Sequence, residues 1–279
     1  MTISVNTNLF SLNAQRKLAG TESSLATSMQ RLSSGLRINS AADDAAGLAI
    51  SQRMSAQVRG MNVAIRNAND GISLAQTADG ALASVGDSLQ RMRELAVQAR
   101  NSTNSDSDKD SLNLEFQQLS SEIGRVLGGT TFNGKAILGT DAGTLTFQVG
   151  ANVTTNDSID ITTTDLTADA KITTVTSASI GSTANASAIA TVITNIDTAI
   201  DDINSQRATF GASQNRFNSV VSNLQSSVEN QSAASSRITD ADFATETANM
   251  SRAQILQQAG TAMVAQANQL PQSVLRLLQ

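Results

Sequence analysis

The sequence contains no cysteine, histidine, tryptophan or tyrosine, and its 279 residues include a single proline, Pro271. Without cysteine and histidine the chain can form neither disulfides nor Cys/His metal sites, and it lacks both the thiol nucleophile and the imidazole base of many enzymes. Charged residues make up only 15% of the sequence. We therefore expect no enzyme activity, no catalytic residues, no metal site and no cofactor.

Basic surface and long apolar runs are also missing. The net charge of −5 disfavours binding to nucleic acid, which requires a basic face. No stretch approaches the roughly 18 apolar residues of a membrane span, so we expect no membrane insertion. The N-terminus has neither the basic start nor the apolar block of a cleaved secretory signal. On composition alone, these absences predict a cytoplasmic protein.

The C-terminal half repeats hydrophobic residues every seven positions, which predicts one long helix with a packed seam. Arg207 and Gln214 occupy seam positions, where polar residues usually set the register of packing. The repeating positions are Ile189, Ile196, Ile203, Phe210, Phe217 and Leu224.

The N-terminal half shows matching apolar stripes at helical spacing over 58–75, 82–96 and 112–127, which predicts helices that pack against the C-terminal one. Helix starts are predicted where a hydroxyl residue precedes an aspartate by three positions. Three segments fit that pattern, at Ser40–Asp43, Ser107–Asp110 and Thr239–Asp242.

The segment from about 130 to 184 is rich in threonine and alternates apolar with polar residues. Leu145, Phe147 and Val149 share one strand face, and Ile159 and Ile161 share another. This alternation predicts a small antiparallel β-hairpin insert. Its low apolar content predicts that it packs against the helices and does not fold alone.

The two ends of the chain carry short heptad segments. Leu18, Leu25 and Leu32 are spaced by seven near the start, as are Leu256 and Met263 near the end. Such segments are marginal helices in isolation because most helical stability comes from packing a face. We therefore predict that they pair antiparallel, are disordered in the monomer, and order against other subunits. The seam residues predicted to order against other subunits, which the family resemblance described below assigns to polymerisation, are Leu25, Met29, Leu32, Leu36, Leu256, Met263, Leu270, Val274 and Leu277.

The predicted fold is mainly α. It is a long antiparallel helical rod or coiled coil with a small β-hairpin insert, and its N- and C-terminal helices pair at one end.

Several motifs resemble those of bacterial flagellins, and they occur in the same order. The resemblance covers roughly 1–150 and 186–279, and it implies a short form in which the outer variable domains are missing or much reduced. The motifs are RLSSGLRINSAADDAAG at 31–47, RNANDGI at 66–72, LQRMRELAVQ at 89–98, QNRF at 214–217, MSRAQILQQAG at 250–260 and AQANQ at 265–269.

The resemblance implies a structural subunit that polymerises into the flagellar filament for swimming motility. Residues 1–43 and 237–279 would form a terminal coiled-coil domain that lines the inner tube, and residues 44–236 a rod domain. The implied partners are further copies of the chain, the flagellar type III export apparatus, an export chaperone on the C-terminal segment, and the filament cap and junction proteins. The implied location is extracellular, reached without a cleaved signal peptide, which replaces the cytoplasmic expectation.

The resemblance also implies recognition by the host receptor Toll-like receptor 5. The matching positions are Gln90, Arg91, Leu95 and Glu115. Arg91 and Leu95 are four residues apart and so share a helix face, whereas Glu115 reaches them only if the next helix folds back.

Two other functions remain open from the sequence. A hook–filament junction protein shares the terminal heptads, and the threonine-rich insert could serve as an adhesin-like binding surface. A metallopeptidase of the kind carried by some flagellins is excluded, because its His-Glu-x-x-His helix cannot exist in a chain without histidine.

Overall fold

The structure is a computed structural model that describes residues 7–277, with side chains described up to residue 269. The described residues form six α-helices and two two-stranded sheets. The helices are α1 (Leu9–Ser34), α2 (Ala45–Ala99), α3 (Asp106–Gly129), α4 (Ala170–Thr176), α5 (Ala186–Thr239) and α6 (Phe243–Leu277). The strands are β1 (Thr131–Phe132), β2 (Lys135–Ala136), β3 (Thr144–Gln148) and β4 (Ser158–Thr162).

The chain divides into two compact units, which we name the terminal unit (Met1–Ala56 with Asn230–Gln279) and the central unit (Gln57–Glu229). Both boundaries fall inside helices, α2 and α5, whereas the predicted domain boundaries at 43/44 and 236/237 fall close to the turns that precede α2 and α6. The predicted division into an inner-tube domain and a rod domain stays a prediction.

In the terminal unit, α1 and α6 lie antiparallel. The Asn8 side chain at the start of α1 donates to the carbonyl of Ala267 (2.7 Å), and Arg31 near the end of α1 contacts Glu246 (3.1 Å) in the first turn of α6. α1 ends at Gly35, whose φ of 71° is the left-handed conformation that glycine adopts at helix ends. The predicted antiparallel pairing of the two chain ends is confirmed.

The two turns of the terminal unit hydrogen-bond to each other. The amide of Arg37 donates to the carbonyl of Thr239 (2.7 Å), and the amide of Ala241 donates to that of Gly35 (2.9 Å). The predicted helix starts shift in both turns. The Asp44 side chain accepts a hydrogen bond from the Gly47 amide at the start of α2, and the Asp242 side chain accepts one from the Ala244 amide at the start of α6. A carboxylate directly before the helix can satisfy its free amides, so the helices begin later than the predicted boxes.

In the central unit, α2 and α5 lie antiparallel. Arg207 of α5 donates to Asp79 of α2 (2.9 Å), while Arg93, further along α2, donates to Asp197, earlier in α5 (2.6 Å). The predicted heptad seam is confirmed, because its first five positions are at most 1% exposed. These positions are Ile189, Ile196, Ile203, Phe210 and Phe217.

Helix α3 of the central unit starts two residues before the predicted position. Ser105 and Asp108 form the capping box of α3, each bonding the other's amide. Asp110, the predicted partner of Ser107, instead accepts the amide of Ser182 (2.8 Å). The sequence offers both hydroxyl–aspartate pairs at the same spacing, and this long-range contact occupies the second aspartate.

The insert contains the predicted hairpin and an element that was not predicted. β3 and β4 pair antiparallel, which brings Leu145 opposite Ile161 and Phe147 opposite Ile159. Phe147 meets Phe217 of α5 edge to face, with ring centroids 5.6 Å apart. α4 lies within the segment that was predicted to form only β-hairpins. It buries its only two large apolar residues in the core of the central unit. The predicted mainly α fold with antiparallel helices and a small β insert is confirmed.

Candidate functional site

Small and polar residues make the contact between α1 and α6. Gly260 lies against Leu18, because a Cβ added at Gly260 would lie 3.1 Å from the Leu18 Cδ1 atom. On α6 the contact positions follow a strict heptad of their own, Glu246, Ala253, Gly260 and Ala267. On α1 the buried residues are Ser11 and Ser28. The fully buried positions of this contact therefore carry small or polar side chains, whereas the α1 leucines Leu18, Leu25 and Leu32 are only half-buried.

The large apolar residues of the same helices remain accessible. Met29 is 48% exposed, Leu256 52% and Met263 63%. Of the other residues predicted for polymerisation, Leu25, Leu32 and Leu36 are half-buried. Leu270, Val274 and Leu277 belong to α6, but their side chains lie outside the described part of the chain.

Sequence reasoning missed part of this exposed apolar surface. It followed heptads of leucine and methionine, whereas these further residues belong to no heptad of large side chains. The small-residue heptad on α6 was the available signal, because it marks the side of α6 that faces α1 and so leaves the remaining apolar residues outward. The additional exposed residues are Leu9, Phe10, Leu12, Phe243 and Ile255.

An open polar groove of about 850 Å³ runs between α1 and α6. Arg16, Lys17 and Arg252 line it, as do several serine and threonine hydroxyls. Arg31 and Glu246 pair inside the groove (3.1 Å), with Glu246 only 7% exposed. The Arg31 Nε atom is buried and has no acceptor among the described residues.

The predicted receptor residues lie on α2 and α3 of the central unit. Arg91 Nε donates to Glu115 (2.8 Å), and a terminal nitrogen of Arg91 donates to Glu94 (2.9 Å). Hydrogen bonds to Glu115 and then to Glu94 raise the pKa of Arg91. Arg91 and Glu115 stay about half exposed as a pair, and Gln90 is exposed beside them. The structure thus brings Gln90, Arg91 and Glu115 to one accessible surface.

Leu95 differs from the other three residues. It is 1% exposed and belongs to the apolar core of the central unit. Its side chain therefore offers no area for contact with a partner, although it lies only one helical turn from Arg91 on α2. Glu94, which the sequence reasoning did not select, is exposed and takes part in the ion pair.

Aspartates fix the turns of the terminal unit. Hydrogen bonds from the Ser40 amide and hydroxyl, and from the Asn39 amide, lower the pKa of Asp43. The Thr245 hydroxyl and the amides of Ala244 and Thr245 lower the pKa of Asp242. Both carboxylates are therefore held in the charged form that helix N-termini favour.

Neither unit contains other recognisable binding chemistry in its described residues. No helix within 7–277 is long and apolar enough to cross a bilayer. No group of three or more acidic side chains in that range is arranged to hold a metal ion. The candidates for function are therefore the exposed apolar surface of α1 and α6, the polar groove between these helices, and the Arg91–Glu115 surface of the central unit.

Two family models match the chain. The model described as bacterial flagellin N-terminal helical region matches residues 5–142, and the one described as bacterial flagellin C-terminal helical region matches residues 193–278. These ranges contain every residue predicted here for polymerisation and for receptor binding.

Similar proteins agree with the family models. The flagellin of Halalkalibacterium halodurans is 47% identical over 281 residues, covering 98% of this chain and 99% of that protein. The flagellin of Bacillus subtilis is 43% identical over 303 residues, again covering 98% and 99%. The crystal structure of Bacillus cereus flagellin is 36% identical with a TM-score of 0.50, and it covers 61% of this chain and 94% of that chain.

These relatives favour a filament subunit over the hook–filament junction alternative, and they are structural proteins rather than enzymes. The alignment with the Bacillus subtilis protein is longer than the 279 residues of this chain, in agreement with the predicted short form. This chain therefore belongs to the bacterial flagellin family, as a short member that serves as a structural subunit of the extracellular flagellar filament in motility.

Proposed function

We propose that the chain polymerises through the apolar surface that α1 and α6 leave exposed. The residues that carry assembly are those selected from the sequence, Leu25, Met29, Leu32, Leu36, Leu256, Met263, Leu270, Val274 and Leu277. The observation that supports this role is the pattern of burial in the terminal unit, where large apolar side chains are more exposed than small and polar ones. Small and polar residues such as Ser28 and Ala253 are covered, whereas Leu256 and Met263 are not.

The same observation supports ordering on assembly. Burying a leucine contributes roughly 1.5–3 kcal/mol, whereas ordering the backbone of one residue costs about 1–2 kcal/mol. A helix pair whose described leucines are at most half-buried, and whose fully covered positions are mainly serine and alanine, gains little apolar burial from its own contact. Neighbouring subunits that cover Met29, Leu256 and Met263 supply the missing apolar burial, so the terminal helices order as the filament forms.

Seeded polymerisation tests this role. Leu256→Ser combined with Met263→Ser is expected to abolish elongation from filament seeds, because the new hydroxyls remove the apolar area that a neighbour would cover. Val153→Ser is the matched control, since Val153 is fully exposed but lies in the central unit. Normal elongation by the double variant would remove these residues from the assembly surface.

Amide exchange tests the ordering step separately. The amides of α1 and α6 are expected to exchange rapidly in dilute monomer and slowly in filaments, while those of α2 and α5 in the central unit are protected in both. Protected α1 and α6 amides in the monomer would contradict ordering on assembly without affecting the assembly surface.

Export and capping follow from the family rather than from a described contact. We propose that the chain leaves the cell through the flagellar type III apparatus without cleavage of a signal peptide. A chaperone would hold the C-terminal segment, and assembly would take place beneath the filament cap and on the junction proteins. Exposed Ile255, Leu256 and Met263 on α6 offer the apolar surface that a chaperone needs. Co-purification of the chaperone with the full chain, and its loss on deletion of residues 255–279, which removes these three side chains, tests this proposal.

A second proposed role is recognition by Toll-like receptor 5 through Gln90, Arg91 and Glu115, with Leu95 supporting them from the core. The exposed Arg91–Glu115 pair supports this role, because it presents both charges at a fixed spacing.

A charge swap separates recognition from stability. Arg91→Glu combined with Glu115→Arg keeps an ion pair between α2 and α3 but reverses the charges that a receptor meets, so receptor signalling by monomer is expected to fall at least tenfold. Arg66→Glu, an exposed change elsewhere on α2, is the control. Undiminished signalling by the swapped variant would exclude this surface.

A further inference from the structure

We propose that the polar groove between α1 and α6 receives Glu22 from a neighbouring copy of this chain. The inference deepens the proposed assembly role and rests on it. It begins with the charges that line the groove. Arg16, Lys17 and Arg252 line it, and none of them forms an ion pair with a described carboxylate of the same chain.

The carboxylate inside the groove does not neutralise these cations. Glu246 is already paired with Arg31, which leaves three positive side chains facing the opening. The terminal unit as a whole has eight basic and six acidic residues, whereas the central unit has eleven basic and eighteen acidic residues. An anion is therefore the ligand that the groove favours.

Glu22 is the acidic side chain of the terminal unit that accepts no hydrogen bond from the described residues. Within residues 7–277, every other acidic side chain of this unit accepts at least one hydrogen bond from the same chain. These are Asp43, Asp44, Asp240, Asp242 and Glu246. Glu22 is exposed, and no described residue donates to it.

Glu22 cannot enter the groove of its own chain. It lies nine residues from both Asn13 and Arg31, which line the groove, and nine residues are two and a half turns of an α-helix. Glu22 therefore projects from the side of α1 opposite to the groove, so only a second copy can bring it there.

This arrangement suits an open polymer. A contact between two different patches of identical chains is heterologous, and repeating it produces a helical filament when it does not close into a ring. The cationic groove and Glu22 are such a pair, since they lie on opposite sides of one helix.

Single charge reversals give the first test. Glu22→Lys places a cation against the cationic groove, and like charges brought together at an interface are strongly unfavourable. We expect the critical concentration for seeded elongation to rise about tenfold or more. Asp201→Lys, an equal change of charge at an exposed position of the central unit, is expected to leave elongation unchanged.

Mixing two variants gives the decisive test. Arg16→Glu combined with Lys17→Glu reverses the groove, and this variant alone is expected to elongate as poorly as Glu22→Lys alone. An equimolar mixture is expected to recover most of the wild-type elongation, because each variant's Glu22 position then matches the other's groove. Circular dichroism and thermal unfolding of each variant, expected to match the wild type, establish that both fold, so that an absence of recovery reports on the contact itself.

The outcomes distinguish failure of the proposed groove contact from failure of the proposed apolar assembly surface. Normal elongation by Glu22→Lys, or no recovery in the mixture, would overturn the groove contact. A defect in the groove variant with normal Glu22→Lys elongation would also overturn it, since the groove would then hold some other anion. If Leu256→Ser with Met263→Ser still abolishes elongation in these cases, the apolar surface stands without the ion pair.

Discussion

The terminal unit and the central unit are both built from antiparallel helices, yet they bury opposite kinds of side chain. In the central unit Phe116, Phe210 and Phe217 are at most 1% exposed. In the terminal unit the α1–α6 contact covers serine and alanine, and Phe243 is 58% exposed. The central unit therefore covers its large apolar side chains within its own chain, whereas the terminal unit leaves several exposed, as the proposed assembly role requires.

The largest expected effect comes from removing the same ring in each unit. Phe217→Ala should lower the free energy of unfolding of the central unit by about 3–5 kcal/mol, because the cavity lies within a packed core. Phe243→Ala should change the stability of the monomer by less than about 0.5 kcal/mol, as is usual for surface positions. Chemical denaturation of dilute monomer measures both, and equal losses would contradict the comparison.

A smaller effect is expected from adding one methyl group to a glycine. A Cβ at Gly71 would lie 2.7 Å from the Phe217 ring, so Gly71→Ala should destabilise the central unit by about 1–3 kcal/mol. At Gly260 the nearest atom is the end of the half-buried Leu18 side chain, at 3.1 Å, so Gly260→Ala should leave monomer stability unchanged.

Gly80→Ala is the reference for these substitutions. Gly80 has open space around it in α2, so alanine there should stabilise the helix by up to about 1 kcal/mol. Thermal unfolding of the three variants ranks them, and a stabilising Gly71→Ala would show that the Phe217 ring is free to move.

The smallest effect concerns acid. The folded-state pKa values of Asp43 and Asp242 are lowered by hydrogen bonds, so their stabilisation is present above the unfolded value of about 3.9. It is lost as the pH falls through the lowered folded-state values. Filaments should therefore dissociate more readily as the pH falls below about 4, and Asp242→Asn should weaken this pH dependence. Sedimentation across that range measures it, and an unchanged profile for Asp242→Asn would exclude this carboxylate.

Large side chains made the central seam predictable from sequence. Ile189, Ile196 and Phe217 repeat at seven, and no other arrangement of a long helix buries them together. The seam of the terminal unit was harder to predict because Ala253 and Gly260 carry almost no hydrophobic signal. On α6 the larger Leu256 and Met263 repeat at the same spacing, but they lie on a face that points outward. Small residues allow two helix backbones to approach closely, but they add no hydrophobic pattern by which the contact could be predicted.

Helix starts and the receptor surface show a second limit. Ser105 and Ser107 each precede an aspartate by three positions, and only the distant amide of Ser182 decides between the two pairs. Similarly, four-residue spacing places Arg91 and Leu95 on related sides of α2, yet Arg91 is half exposed and Leu95 lies in the core of the central unit. Such choices depend on tertiary contacts that local spacing does not contain.

The bond from Asn8 to Ala267 joins residues 259 positions apart in the chain. Contacts between such distant residues form late, because the intervening chain must first be brought together. A chain that is synthesised or delivered from its N-terminus therefore completes its terminal unit only after its last helix has arrived. Under the proposed assembly role, a copy whose α6 has not yet arrived carries only part of the assembly surface, so it is expected not to join a filament.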